Sequence, residues 1–155
     1  MMQMPKPTEA HNQLARLAGR WIGNEKLSPS PWDPKGGTAV GICENKIAAG
    51  GFALAQDYEQ ARDGAVNFRA HGVFSYDAAE KSYVLHWWDS MGMGTAIFKG
   101  SFEGDKLQLT CALPKGFSRA TWDFRGASHY HFRIEISGDG QQWNTMIESE
   151  YSRAS

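Results

Sequence analysis

The 155-residue chain predicts an all-β fold, an antiparallel up-and-down barrel of about ten strands with a short N-terminal helix closing one end. Three observations predict it. From Gly19 onward apolar residues recur with a period of two rather than 3.6. Glycine- and proline-bearing reverse turns interrupt that pattern at short intervals. A flat sheet of this width would leave two unpaired edges, and closing it on itself removes them.

In chain order, residues 1–7 read as a flexible tail carrying Pro5 and Pro7. Thr8 is a helix N-cap, Leu14 and Leu17 give residues 8–18 one apolar side, and Gly19 stops the helix. Strands are predicted at 20–27, 38–48, 52–60, 66–76, 82–89, 95–103, 106–112, 118–125, 129–137 and 142–151. The one long connection is the Pro/Gly-rich loop Ser28–Gly37, which holds Trp32 and would hang at one mouth of the barrel. Gly50-Gly51, Asp63-Gly64, Asp77–Lys81, Gly104-Asp105, Pro114-Lys115-Gly116, Gly126 and Gly138-Asp139-Gly140 mark other turns. No linker interrupts the series, so residues 1–155 read as one β-barrel domain with the barrel itself at 19–153.

Strand 82–89 carries bulky groups on both faces, Tyr83, Leu85, Trp87 and Asp89 on one, Val84, His86 and Trp88 on the other. Strand 129–137 separates more cleanly, with Tyr130, Phe132, Ile134 and Ile136 opposite His129, His131, Arg133 and Glu135. Alternation leaves the inward face of 82–89 and of 142–151 open, because a barrel with a wet pocket can turn polar groups inward.

Composition narrows the function classes. Sixteen basic and 17 acidic residues leave a formal charge of −1, with no Lys/Arg run to collect phosphates, so nucleic acid and a membrane surface are not expected partners. No apolar run approaches the roughly 20 residues needed to span a bilayer, and the N-terminal residues lack the apolar core of a signal peptide. Cys43 and Cys111 stand alone, which fits buried thiols in the cytoplasm better than a disulfide scaffold or a zinc site. Aromatic residues make 12% of the chain, six of them tryptophan, enough to fill a thick core or line a pocket.

Gly19-Arg20-Trp21, opening the first strand, resembles the glycine-x-tryptophan signature of lipocalins and related calycin barrels. The resemblance implies that Trp21 closes the barrel base behind Gly19 and that Arg153, near the end of the last strand, packs across it. The wider pattern includes Leu17–Trp21, Gly50-Gly51-Phe52, Tyr58-Glu59, Val73–Asp77, Lys81-Ser82-Tyr83 and Trp87-x-Asp89 before a Gly/Met segment. Together these resemble an uncharacterised bacterial family, a domain of unknown function with a lipocalin-like barrel, over residues 8–153. The family implies the barrel and no activity. Secreted lipocalins have a signal peptide, a disulfide pattern and a mid-chain threonine-aspartate-tyrosine turn that this chain lacks. Haem-binding nitrobindins share the barrel and the opening tryptophan, but their proximal histidine has no matching position.

The candidate cavity residues are Trp87, Asp89 and His86, with Tyr58 and Tyr130 as further lining. A carboxylate beside aromatic rings at a strand end can orient a polar group while the rings hold an apolar body. The plainer reading has Asp89 capping the following turn, with the tryptophans as core. His129 and His131 share a strand face and are weak metal candidates that would need a third ligand such as His71, His86 or Glu148. Glu148 and Glu150 share a face with Met146 and read as an outward polar face. Met91-Gly-Met-Gly94 is either a gate or a tight turn. Phosphate-loop and Gly-x-Ser-x-Gly motifs are absent. The reading is a barrel that binds a small, partly apolar molecule, with no cofactor. The alternatives are a small-barrel isomerase or lyase using Asp89 or His86 as general acid/base, a haem- or metal-binding barrel, and a filled barrel acting as a homodimeric interaction module.

Overall fold

The computed structural model describes residues 2–31 and 33–154; Trp32, placed by the sequence in the Ser28–Gly37 loop, lies outside them. Among the described residues ten antiparallel strands form a closed barrel: β1 (Gly19–Leu27), β2 (Gly37–Ala48), β3 (Ala53–Arg62), β4 (Ala65–Asp77), β5 (Ser82–Asp89), β6 (Ala96–Glu103), β7 (Lys106–Leu113), β8 (Gly116–Phe124), β9 (His129–Ser137) and β10 (Asn144–Ala154). Each pairs with its chain neighbour, and β10 returns to β1 in a register that sets Trp21 opposite Arg153. Among the described residues no helix is long and apolar enough to cross a membrane.

β5 and β9 span the intervals expected from their alternation, and no bound of the other strands moves by more than three residues. The largest change is at β10, which starts at Asn144 and runs on to Ala154, because pairing with β1 continues through Arg20 and Ala154. A β-bulge between Thr145 and Ile147 shifts the β9–β10 register near the start of that strand.

The N-terminal element is shorter than one continuous helix. It is α1 (Glu9–Gln13) followed by a 3-10 turn, Leu14–Leu17. The tighter coil brings Leu14 and Leu17, three apart, onto one line facing the barrel, and both are buried. It also frees the Leu17 carbonyl, which accepts from Trp21 Nε1 at 2.9 Å and Asn45 Nδ2 at 2.7 Å. At its start, Thr8 N donates to His11 Nδ1 at 3.0 Å, a capping contact in which histidine takes the usual glutamate position.

This element plugs one end of the barrel, the base. Trp21 is fully buried there, 4.7 Å from the Tyr130 ring, and the Arg153 guanidinium lies 4.3 Å over its face. Arg153 also donates to the carbonyls of Ala18 and Ala127. A Cβ on Gly19 would sit 2.5 Å from that guanidinium, so the glycine leaves it room. Arg16, over the Phe124 ring at 4.5 Å, and Tyr83, whose hydroxyl donates to the Ala10 carbonyl at 2.7 Å, fasten the plug from two further sides.

Candidate functional site

Above the plug the barrel is hollow. A cavity of about 780 Å³ opens at the other end, between the β5–β6 loop carrying Met91 and Met93 and the β7–β8 turn at Pro114. Leu85, Phe98, Trp122, Phe132, Ile134 and Ile147 supply much of its apolar wall. Volume and lining fall within the range of small-molecule sites. The inner faces of β5 and β10 are therefore settled: Tyr83, Leu85, Trp87 and Asp89 point in, as do Ile147, Ser149 and Tyr151.

Four of the five candidates converge on this space, Trp87, Asp89, Tyr58 and Tyr130. Trp87 Nε1 donates to Asp89 Oδ2 at 3.0 Å, and Met91 N donates to Oδ1 at 3.0 Å. Asp89 thus both caps the loop after β5 and fixes the indole. Tyr58 lies 6.2 Å from the Trp87 ring and 6.0 Å from the Phe68 ring.

His86 is corrected. It occupies the outer face of β5 beside Trp88, with the rings 6.5 Å apart, and the barrel wall separates it from the cavity. The two-residue period that turns Trp87 inward turns its neighbour out.

Behind the Tyr58 wall lies a residue that the sequence reading did not single out. Glu25 is 1% exposed. Tyr151 Oη donates to its Oε2 at 2.5 Å and Gln60 Nε2 to its Oε1 at 2.9 Å, while Tyr58 Oη stands 2.8 Å from both oxygens. Three side chains thus engage both oxygens of Glu25. Gly41 makes the space: a Cβ there would fall 2.0 Å from Tyr151 Oη and 2.6 Å from Glu25 Oε2. Glu25 lies four residues after Trp21, hence on the same face, and that spacing was the available signal.

Burial raises the thiol and the phenols around Glu25. Burial, then the Glu25 carboxylate, pushes the Cys43 thiol up to about 12. Burial, again followed by Glu25, drives the Tyr58 hydroxyl far above its ordinary value. Tyr130 and Tyr151 are raised as well, first by burial and next by Cys43.

A family model for proteins of unknown function, DUF1579, matches residues 6–153. The chain belongs to the DUF1579 family. Two solved structures share its barrel. Rv2717c from M. tuberculosis superposes with a TM-score of 0.71 at 16% identity, over 96% of this chain and 99% of that one. The S-type phycobiliprotein lyase CPES from Guillardia theta superposes with a TM-score of 0.60 at 9% identity, over 96% and 99%. Identities this low carry the fold alone. No curated protein sequence matches this DUF1579 protein. The resemblance read from the sequence, to a domain-of-unknown-function family with a lipocalin-like barrel, agrees with these matches.

The weak metal candidates of this DUF1579 protein sit outside its barrel. His131 Nδ1 pairs with Glu150 at 2.7 Å and its Nε2 with Glu148 at 3.0 Å, and His129 also pairs with Glu150. Partial burial works to raise the Glu150 carboxyl, but the hydrogen bonds and charge of His131 and His129 outweigh it and hold the carboxyl below its ordinary value. His71 and His86, suggested as further ligands, stand on β4 and β5, across β6, β7 and β8 from that pair. Among the described residues no group of three or more potential ligands could hold a metal ion.

Proposed function

We propose that the barrel is a binding protein for a small, partly apolar molecule held in the cavity. The observation that carries this reading is the 780 Å³ hollow, lined by aromatic and aliphatic groups and opening between loops at one end. A domain of this size ordinarily packs its interior to crystal-like density, so a void this large, held open by well-buried strands, calls for an occupant. Asp89 and the Tyr58–Gln60–Tyr151 wall, on a mostly apolar surface, supply the few polar contacts that orient a ligand. Of the two residues of the acid/base alternative, His86 lies on the outer face and Asp89 accepts from Trp87 and the Met91 amide.

Titration with the neutral dye N-phenyl-1-naphthylamine tests this. One site per chain is expected, with dye emission rising as Trp emission falls, since Trp87 and Trp122 line the cavity. A dye that gains no fluorescence with the native protein would contradict the reading.

A further inference from the structure

The charges that reach this cavity are all negative. Among the described residues no lysine, arginine or histidine lines it, and Asp89 is the ionisable carboxylate on its surface. Glu25 lies one side chain deeper, behind Tyr58. Among the described residues neither has a cationic partner. The partners of Glu25 are two phenols and an amide, and those of Asp89 are an indole and a backbone N–H. Arg62, next after Gln60 on that face of β3, is tied to Asp33 and to the Gly36 carbonyl at 3.0 Å.

Hydrogen-bond bookkeeping points the same way. The Tyr58, Tyr151 and Gln60 donors are taken up by Glu25, with Gln60 Nε2 also 3.1 Å from Tyr58 Oη. The Trp87 donor is taken up by Asp89. Around Tyr58 and Trp87, lone pairs and ring faces are what remains for a ligand. An anion there would meet the Asp89 carboxylate and, behind Tyr58, that of Glu25. Donation from Tyr58 and Trp87 to carboxylates also enriches both rings in electron density, which strengthens their attraction for a cation.

We propose that the ligand's polar end is a cation, an amine or quaternary ammonium, seated against the Tyr58, Phe68 and Trp87 rings between the Glu25 and Asp89 carboxylates, with its apolar body in the rest of the cavity. This rests on the cavity being a binding site, as argued above. A lone buried charge is costly, and two uncompensated carboxylates with aromatic faces are what offsets that cost.

Three probes of equal chain length separate the outcomes: decyltrimethylammonium, decan-1-ol and decanoate, each titrated calorimetrically into the full chain below its micelle concentration. The expected order is ammonium, alcohol, carboxylate, with the ammonium about tenfold or more tighter than the alcohol. Glu25→Gln and Asp89→Asn should each shrink that preference several-fold. Glu25→Gln puts an amide donor against existing donors and can fail to fold; Asp89→Asn, at the half-buried rim, then decides. Alcohol equal to or tighter than ammonium, decanoate tighter than ammonium, or an unchanged preference in Asp89→Asn would overturn the cation assignment while leaving the cavity a binding site. Binding of none of the three would overturn the binding reading and the cation assignment together.

Discussion

The two ends of this barrel use the same strands for opposite purposes. At the base, Leu14, Leu17 and Trp21 fill the bore under the Arg153 guanidinium. At the mouth the same ten strands stand apart around a hollow, and the exposed residues over it, Met91 and Met93, are flexible and apolar. The difference does not come from the sheet, which is continuous. It comes from what enters the bore: the base receives an extra element from the N-terminus, and the mouth receives only loops. Packed side chains fill one end, and the other is left as a cavity.

Mutations placed along the bore break that contrast in graded steps. Trp21→Ala, at the base, should cost about 3–5 kcal/mol of unfolding free energy in urea, because the floor and the arginine seated on it go together. Gly41→Ala lies where the two halves meet. Its methyl group must displace Tyr151 or Glu25, so a loss of about 1–3 kcal/mol is expected. Ser118→Phe, on the cavity wall towards the mouth, adds a ring to empty space. The unfolding midpoint should stay within about 1 kcal/mol of the parent, while dye binding is abolished. Equal destabilisation by the Trp21 and Ser118 changes would erase the distinction between the ends.

The smallest effect is expected on the outer wall, at Glu150. Partial burial opposes, and His131 and His129 outweigh, so its carboxyl titrates below its ordinary 4.5 in the fold. A lowered folded value means that its stabilisation is complete above about pH 4.5 and is lost as pH falls through the lowered value. Glu150→Gln should therefore lower stability by a few tenths of a kcal/mol at neutral pH, with the difference from the parent vanishing as pH falls through the lowered value. A pH-independent change would contradict the assignment of the shift to the histidines.

Much of the fold was legible because its signals are local. Alternation and turn chemistry act within a few residues, and they place β5 and β9 at their observed bounds. The Gly19–Trp21 opening and Arg153 meet at the base because the closed register sets Trp21 opposite Arg153. The site was less legible because its contacts are long-range. Glu25 meets Tyr151 only once β10 has closed on β1, 126 positions along the chain. His86 illustrates the reverse error. Its nearness in sequence to Trp87 and Asp89 suggests a shared site, and strand geometry places it on the other side of the wall. The end of the helical segment at Leu14 was hidden too, since a 3-10 turn and an α-helix both satisfy a spacing of three.

Binding of 1-bromonaphthalene, followed by diffraction at the bromine edge, tests the central claim most directly. The expected result is anomalous density at one place inside each chain, among Trp87, Phe98, Trp122 and Phe132, with the base unchanged. Bromine found only on the outer surface, or a cavity collapsed around its own side chains, would contradict it.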